Sequence, residues 1–122
     1  MKKILVIIML FVGGLMQAQD KNATATLEVD GVCMMCKMRI EKAALKTKGV
    51  KSANWNIETH VLTLFYNDGK TNLETIQKNI AAVGHDTHDF KAIDEVYNGI
   101  DACCKYRDPK VVDAHGKDGR EN

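Results

Sequence analysis

A chain of 122 residues with 17 basic and 16 acidic side chains has a formal net charge of +1, too balanced to gather nucleic acid and too balanced to project an acidic field. The length suits one small domain with a modest core. Recognition therefore falls to a local site, and four cysteines indicate where to look.

In chain order, Lys2 and Lys3 precede an unbroken apolar run from Ile4 to Val12, Gly13-Gly14 relaxes it, and Leu15-Met16-Gln17-Ala18 follows. This arrangement reads as a secretory signal peptide over residues 1–18, cleaved after Ala18. The apolar run is shorter than the roughly 20 residues a bilayer requires, so no membrane span is expected in the mature chain. Removing Lys2 and Lys3 leaves 15 basic against 16 acidic groups, a mature net charge of −1. The chain is expected to be secreted across the inner membrane and to reside in the periplasm, where disulfides are permitted.

Residues 19–91 form the expected domain. Ala25, Leu27 and Val29 alternate with polar neighbours, as in a half-buried strand. Asp30-Gly31 breaks the run. Cys36, Ile40, Ala43 and Ala44 then recur at helical spacing, with Lys37, Arg39, Glu41 and Lys42 on the wet side, until Gly49 supplies a cap. Ala53, Trp55 and Ile57, then Leu62, Leu64 and Tyr66, alternate as two strands joined through Glu58-Thr59-His60 in an antiparallel hairpin. After the turn Asn67-Asp68-Gly69, a second helix carries Leu73, Ile76, Ile80 and Val83 on one stripe and stops at Gly84. His85 to Phe90 can supply a last strand. The order βαββαβ is that of the ferredoxin-like α+β sandwich, a four-stranded antiparallel sheet with two helices on one face.

Residues 92–107 read as a Cys-containing helical extension. Ile93, Val96, Tyr97 and Ile100 share one side of a short helix. Ile93 and Tyr97 are expected to cover Val61 and Phe65 on the helix-free face of the sheet. Pro109 marks the end of order, and residues 108–122, rich in glycine and charge, are expected to be disordered.

The chemistry lies in Cys33-Met34-Met35-Cys36, between the first strand and the first helix. Two thiols at this spacing can chelate a metal or exchange a disulfide. Neither they nor the vicinal Cys103-Cys104 close a loop long enough to restrain an unfolded chain. A soft d10 ion such as Cu(I) prefers thiolate sulfur, and the positive end of a helix favours the thiolate. Lys37 and Arg39 add to that potential, both expected to stay solvated. Haem attachment is excluded, because Lys37 stands where CxxCH needs histidine.

The run Val29-Asp30-Gly31-Val32-Cys33-Met34-Met35-Cys36 with Ile40, the turn Gly49-Val50-Lys51-Ser52 and the end Val83-Gly84-His85-Asp86 together resemble the heavy-metal-associated domain. That family includes copper chaperones of the Atx1/CopZ type, metal-binding domains of copper-pumping ATPases and the periplasmic mercury-binding protein. The resemblance implies a non-enzymatic protein in which Cys33 and Cys36 hold one soft ion and pass it to a partner such as a metal-transporting ATPase. Cu(I) is the first expectation, with Hg(II) and Zn(II) as alternatives. The family usually has Gly-Met-Thr before the first cysteine; this chain has only Gly31-Val32.

Met34 and Met35 are read as a surface thioether and a side chain covering a core edge. His85 is a candidate third ligand, while His60, His88 and His115 are read as solvent-facing. If the extension folds back, Cys103 and Cys104 can join the site. The rival reading is a thiol–disulfide oxidoreductase, but such folds set a cis-proline beside the active sulfurs, and the single proline here is Pro109.

Overall fold

The computed structural model describes residues 21–118; the expected signal peptide and residues 119–122 lie outside them. The elements in order are β1 (Asn22–Glu28), α1 (Met34–Lys46), β2 (Val50–Trp55), β3 (Val61–Asn67), α2 (Leu73–Ala81), α3 (Asp94–Asn98), a short 3-10 turn (Ala102–Cys104) and α4 (Pro109–Asp118). No helix among the described residues is long and apolar enough to cross a membrane.

The sheet has the order β1-β3-β2, with β3 antiparallel to both neighbours. The hairpin register sets Ala53 opposite Leu64 and Trp55 opposite Leu62, so one face of β2 and β3 is apolar. Ala25 and Leu27 extend that face across β1, opposite Leu64 and Leu62. Helices α1 and α2 cover it with Cys36, Ile40, Ala43 and Ala44 from the first and Ile76 and Ile80 from the second, all buried. Asn72 starts α2 by accepting a hydrogen bond from the Thr75 amide at 2.8 Å.

Three strands stand in the sheet among the described residues, where the sequence predicts four. The segment after α2 pairs with the sheet at one bridge, Val29 with Thr87. The Asp30 amide donates to the Asp86 carbonyl at 2.9 Å, but the Thr87 amide then turns to Phe90 at 2.7 Å. The Asp89 amide donates to the Gln77 side chain at 3.1 Å. With these groups committed to local turns, no ladder propagates along β1, and an open groove lined by Thr26, Glu28, Gln77 and His88 flanks it.

The extension also departs from expectation. Phe65 and Ile93 are both exposed, so the helix-free sheet face is left open. Tyr97 is buried, but against Tyr106, whose ring meets it edge-on at 5.1 Å. The extension packs at the end of the domain where α2 stops and the loop before α1 begins. Beyond it, the stretch read as disordered forms α4. Asp108 accepts from the Lys110 amide at 2.9 Å, and Pro109, lacking an N–H, stands at the first helical position. Val111 packs against the core cluster.

Candidate metal centre

The loop that carries the cysteines rests on Trp55. That indole is fully buried, and its N–H donates to the Val29 carbonyl at 3.0 Å and the His60 carbonyl at 3.2 Å. Gly31 crosses directly above: a Cβ there would lie 3.0 Å from both the Trp55 ring and the Cys36 Cβ. Glycine is required by close approach, not by turn conformation. Val32 fills part of the core beside it, on the short Gly31-Val32 entry that the chain has in place of the longer family loop.

Cys33 is the N-cap of α1, in extended backbone, and its carbonyl accepts from the Lys37 amide at 3.0 Å. Cys36 falls in the first turn and is fully buried. The two sulfurs stand 3.4 Å apart. A third sulfur, Cys104, approaches Cys33 to 3.2 Å and is also fully buried. Cys103, exposed, lies 4.0 Å from Cys104 and donates its S–H toward the Met35 thioether at 3.5 Å. All four cysteines are free thiols. Cys33, Cys103 and Cys104 place their sulfurs within 4.8 Å of one another, close enough to share one ion.

The thiols are not equivalent. Burial pushes Cys33 up, but the N–H groups of Cys36 and Met35 and the thiols of Cys104 and Cys36 outweigh it, holding Cys33 below the ordinary thiol range. Burial raises Cys36. Cys104 is pushed up to about 12 by burial and by the neighbouring thiols, against the opposing pull of Arg39. Cys33 is therefore the most readily ionised thiol of the three, with the Cys36 and Cys104 sulfurs within hydrogen-bond reach of it. Such a set fits a thiophilic ion, since every donor is sulfur.

Lys37 and Arg39 part company. Lys37 donates to Glu41 at 2.8 Å and to the Trp55 carbonyl at 2.7 Å, so it is neutralised away from the sulfurs. Arg39 is held, not solvated. Its guanidinium reaches Asp101 at 2.7 Å and His85 Nε2 at 3.2 Å. Although burial works against its charge, the neighbouring Cys104 favours it.

His85 is not brought into the sulfur cluster. It is fully buried, with Nδ1 2.8 Å from the Asp30 carbonyl. A carbonyl accepts, so Nδ1 carries the proton and Nε2 accepts from Arg39 (an assignment made by partner chemistry). Burial lowers its pKa to about 4, with Arg39 adding to the effect. The Nε2 lone pair is already used, and the imidazole serves as a brace for Arg39. Met34 and Met35 are both exposed, so Met35 covers no core edge; it belongs to the sulfur set instead.

Residues to which the sequence alone assigns no role hold the extension against this site. Tyr106 donates its hydroxyl to the Gly84 carbonyl at 2.7 Å, accepts from the Asp86 amide at 2.9 Å and stacks on His85 at 5.4 Å. Arg107 places two nitrogens on the Asp86 carboxylate, at 2.7 and 3.2 Å, and another on Asp94 at 3.1 Å. Its guanidinium also lies 4.1 Å from the Tyr97 ring centroid. Burial pushes Asp86 up, but Arg107 and the Ala92 amide overcome this and hold it below the usual carboxylate range. The one available signal is local: Tyr106-Arg107 stands one residue beyond the vicinal cysteines, after Lys105.

A family model for the heavy-metal-associated domain matches residues 26–86, a segment that ends before Cys103 and Cys104. The copper-exporting P-type ATPase of Staphylococcus saprophyticus is 37% identical over 75 residues, 61% of this chain and 9% of that protein. The chain thus spans less than a tenth of that relative. The mercuric transport protein periplasmic component of Serratia marcescens is 32% identical over 63 residues, 51% of this chain and 69% of that protein. Among solved structures, a CopZ metallochaperone gives a TM-score of 0.52 at 30% identity, over 53% of this chain and 98% of its own.

Proposed function

The chain belongs to the heavy-metal-associated domain family, and from that membership we propose that it is an exported carrier of a soft metal ion, Cu(I) foremost. Cys33 and Cys36 are the primary ligands and Cys104 is the third donor. The observation that carries the reading is the approach of Cys104 to 3.2 Å from Cys33, which turns a pair of thiols into an all-sulfur nest. Binding begins at Cys33, whose proton is the most easily lost, and the ion then displaces protons from Cys36 and Cys104. The ion is cargo, retained or relayed to a metal-transporting ATPase or another acceptor thiol. No catalysis is ascribed to the site.

Two relatives support this choice of ions. One is named a copper-exporting ATPase and the other a mercuric transport protein, and Cu(I) and Hg(II) share the preference for thiolate. Zn(II) also accepts all-sulfur coordination, so the donor set alone does not separate it from Cu(I), and the titration includes it. A second reading, thiol–disulfide exchange, draws on the 3.4 Å approach of Cys33 to Cys36.

Anaerobic titration of the reduced chain with Cu(I), Hg(II) and Zn(II) against a competing chelator tests the reading. Cu(I) and Hg(II) are expected to bind, and Cys33→Ser/Cys36→Ser to abolish retention. Failure to hold either ion, together with reduction of an insulin disulfide by the same sample, would transfer the site to electron exchange. Recovery of the chain from the periplasm at the mass of residues 19–122 tests export.

A further inference from the structure

Five sulfur atoms from two distant segments form a continuous chain. Met35 Sδ lies 3.5 Å from Cys103 Sγ, Cys103 lies 4.0 Å from Cys104, Cys104 lies 3.2 Å from Cys33, and Cys33 lies 3.4 Å from Cys36. A soft ion about 2.3 Å from each thiolate spans at most roughly 4.6 Å between two sulfurs. Every neighbouring pair falls within that span, so the chain exceeds what one ion can use.

We propose that one protein chain holds two Cu(I) ions, the second in an outer site made by Cys103, Cys104 and Cys33 with the Met35 thioether. The inference rests on the soft-ion reading above. Cys33 and Cys104 bridge the ions, Cys36 completes the inner site, and Cys103 and Met35 complete the outer one.

Three observations carry it. The first is convergence: Cys33, Cys103 and Cys104 lie within 4.8 Å of one another without Cys36, so a trigonal sulfur set exists beside the inner pair. The second is placement. Consecutive side chains usually diverge, yet the 3-10 turn Ala102–Cys104, closed by the Cys104 amide on the Asp101 carbonyl at 2.9 Å, brings both vicinal sulfurs to one side. Cys103 and Met35 are exposed, so burial does not explain their contact. The third is charge. Four thiolates with two Cu(I) carry a formal −2, the entering ions having displaced the thiol protons, and Arg39 stands against Cys104 to offset part of that charge. Because Cys103 and Met35 face solvent, the outer ion is the one that enters last and leaves first.

Native mass spectrometry of the reduced, Cu(I)-titrated chain counts ions and subunits together. The expected species is one chain with two Cu(I), falling to one ion in Cys103→Ser. In Met35→Leu the second ion is expected to remain but to be removed by a Cu(I) chelator at about tenfold lower concentration. A wild-type chain that stops at one ion, a second ion retained by Cys103→Ser, or ions found only in a two-chain species would overturn the outer site. An unchanged second affinity in Met35→Leu would overturn the place given to the thioether. No bound ion at all would overturn the soft-ion reading itself, a result distinguishable from a count of one.

Discussion

His85 shows how a single side chain ties the site to the stability of the fold. Its ring is enclosed by the Asp30 carbonyl, Arg39, Asp86 and the Tyr106 ring; burial and Arg39 oppose a second proton and outweigh the Asp30 carbonyl and Asp86, which favour it. The folded pKa is about 4 against an ordinary 6.5, so between these values the unfolded chain binds the extra proton. The stability due to neutral His85 is complete above pH 6.5 and drains as pH falls toward 4. At about 1.4 kcal/mol for each pH unit, the loss is roughly 3 kcal/mol. Asp86, held below its ordinary range, adds a further loss at lower pH; Asp30, raised by burial and by Asp86, acts in the opposite direction. Urea unfolding of the reduced, metal-free chain is expected to show most of the histidine loss by pH 4.5. His85→Gln, which can still donate to Asp30 and accept from Arg39, should flatten that dependence. Equal slopes in both proteins would remove His85 as the cause. The sequence placed this histidine beside the loop but could not state its role, because spacing does not reveal that Arg39 already occupies its free nitrogen. The same limit applies to Lys37 and Arg39, identical in sign, of which only Arg39 reaches the sulfurs.

Elements whose two faces differ in polarity were legible before any coordinates. Alternation in β1, β2 and β3 and the helical stripe through Cys36, Ile40, Ala43 and Ala44 each name a buried face, and the register agrees except at Ile57, which falls in the turn beyond β2 and is exposed. The fourth strand was not legible. The residues after Gly84 can form a strand, but their polar groups found nearer partners in Gln77, Phe90 and Arg107. The last helix was missed for a different reason. Asp108-Pro109 was read as a stop, although an aspartate before proline equally makes an N-cap followed by the first helical residue. Asp108→Ala is therefore expected to cost about 1 kcal/mol, seen as reduced helical signal and a lower unfolding midpoint; an unchanged midpoint would deny the cap. Gly84 has the larger consequence. At φ +108° it takes a conformation that disfavours side chains, and a Cβ would meet Ile100 at 2.6 Å. Gly84→Ala should cost about 2 kcal/mol and loosen the extension from the end of α2. Faster alkylation of buried Cys104 is the specific signature, since loss of stability elsewhere in the sheet would leave that rate tied to global unfolding.

At the scale of the whole molecule, Cys33 and the buried Cys36 stand at one end of the domain and the extension packs beside them. An acceptor thiolate takes a two-coordinate ion by adding to its open side and then displacing a ligand. In the proposed carrier Cys104 takes that side, and its position is not left to chance. Arg107 clasps Asp86, Tyr106 bonds to Gly84 and Asp86, and Asp101 meets Arg39, so the donor is ordered before the ion arrives and little entropy is lost on binding. A preorganised third ligand slows release more than it speeds capture. Transfer of Cu(I) from the loaded chain to an excess of a small dithiol should therefore be about tenfold faster in Cys104→Ser, equivalent to about 1.4 kcal/mol off the exchange barrier. Arg107→Ala, which keeps every sulfur but removes the clasp on Asp86, should accelerate transfer in the same direction by a smaller factor. The two variants separate the ligand from its support: a fast Cys104→Ser with an unaltered Arg107→Ala would mean that the sulfur holds itself in place. Wild-type transfer as quick as that of Cys104→Ser would mean that the extension does not guard the ion at all.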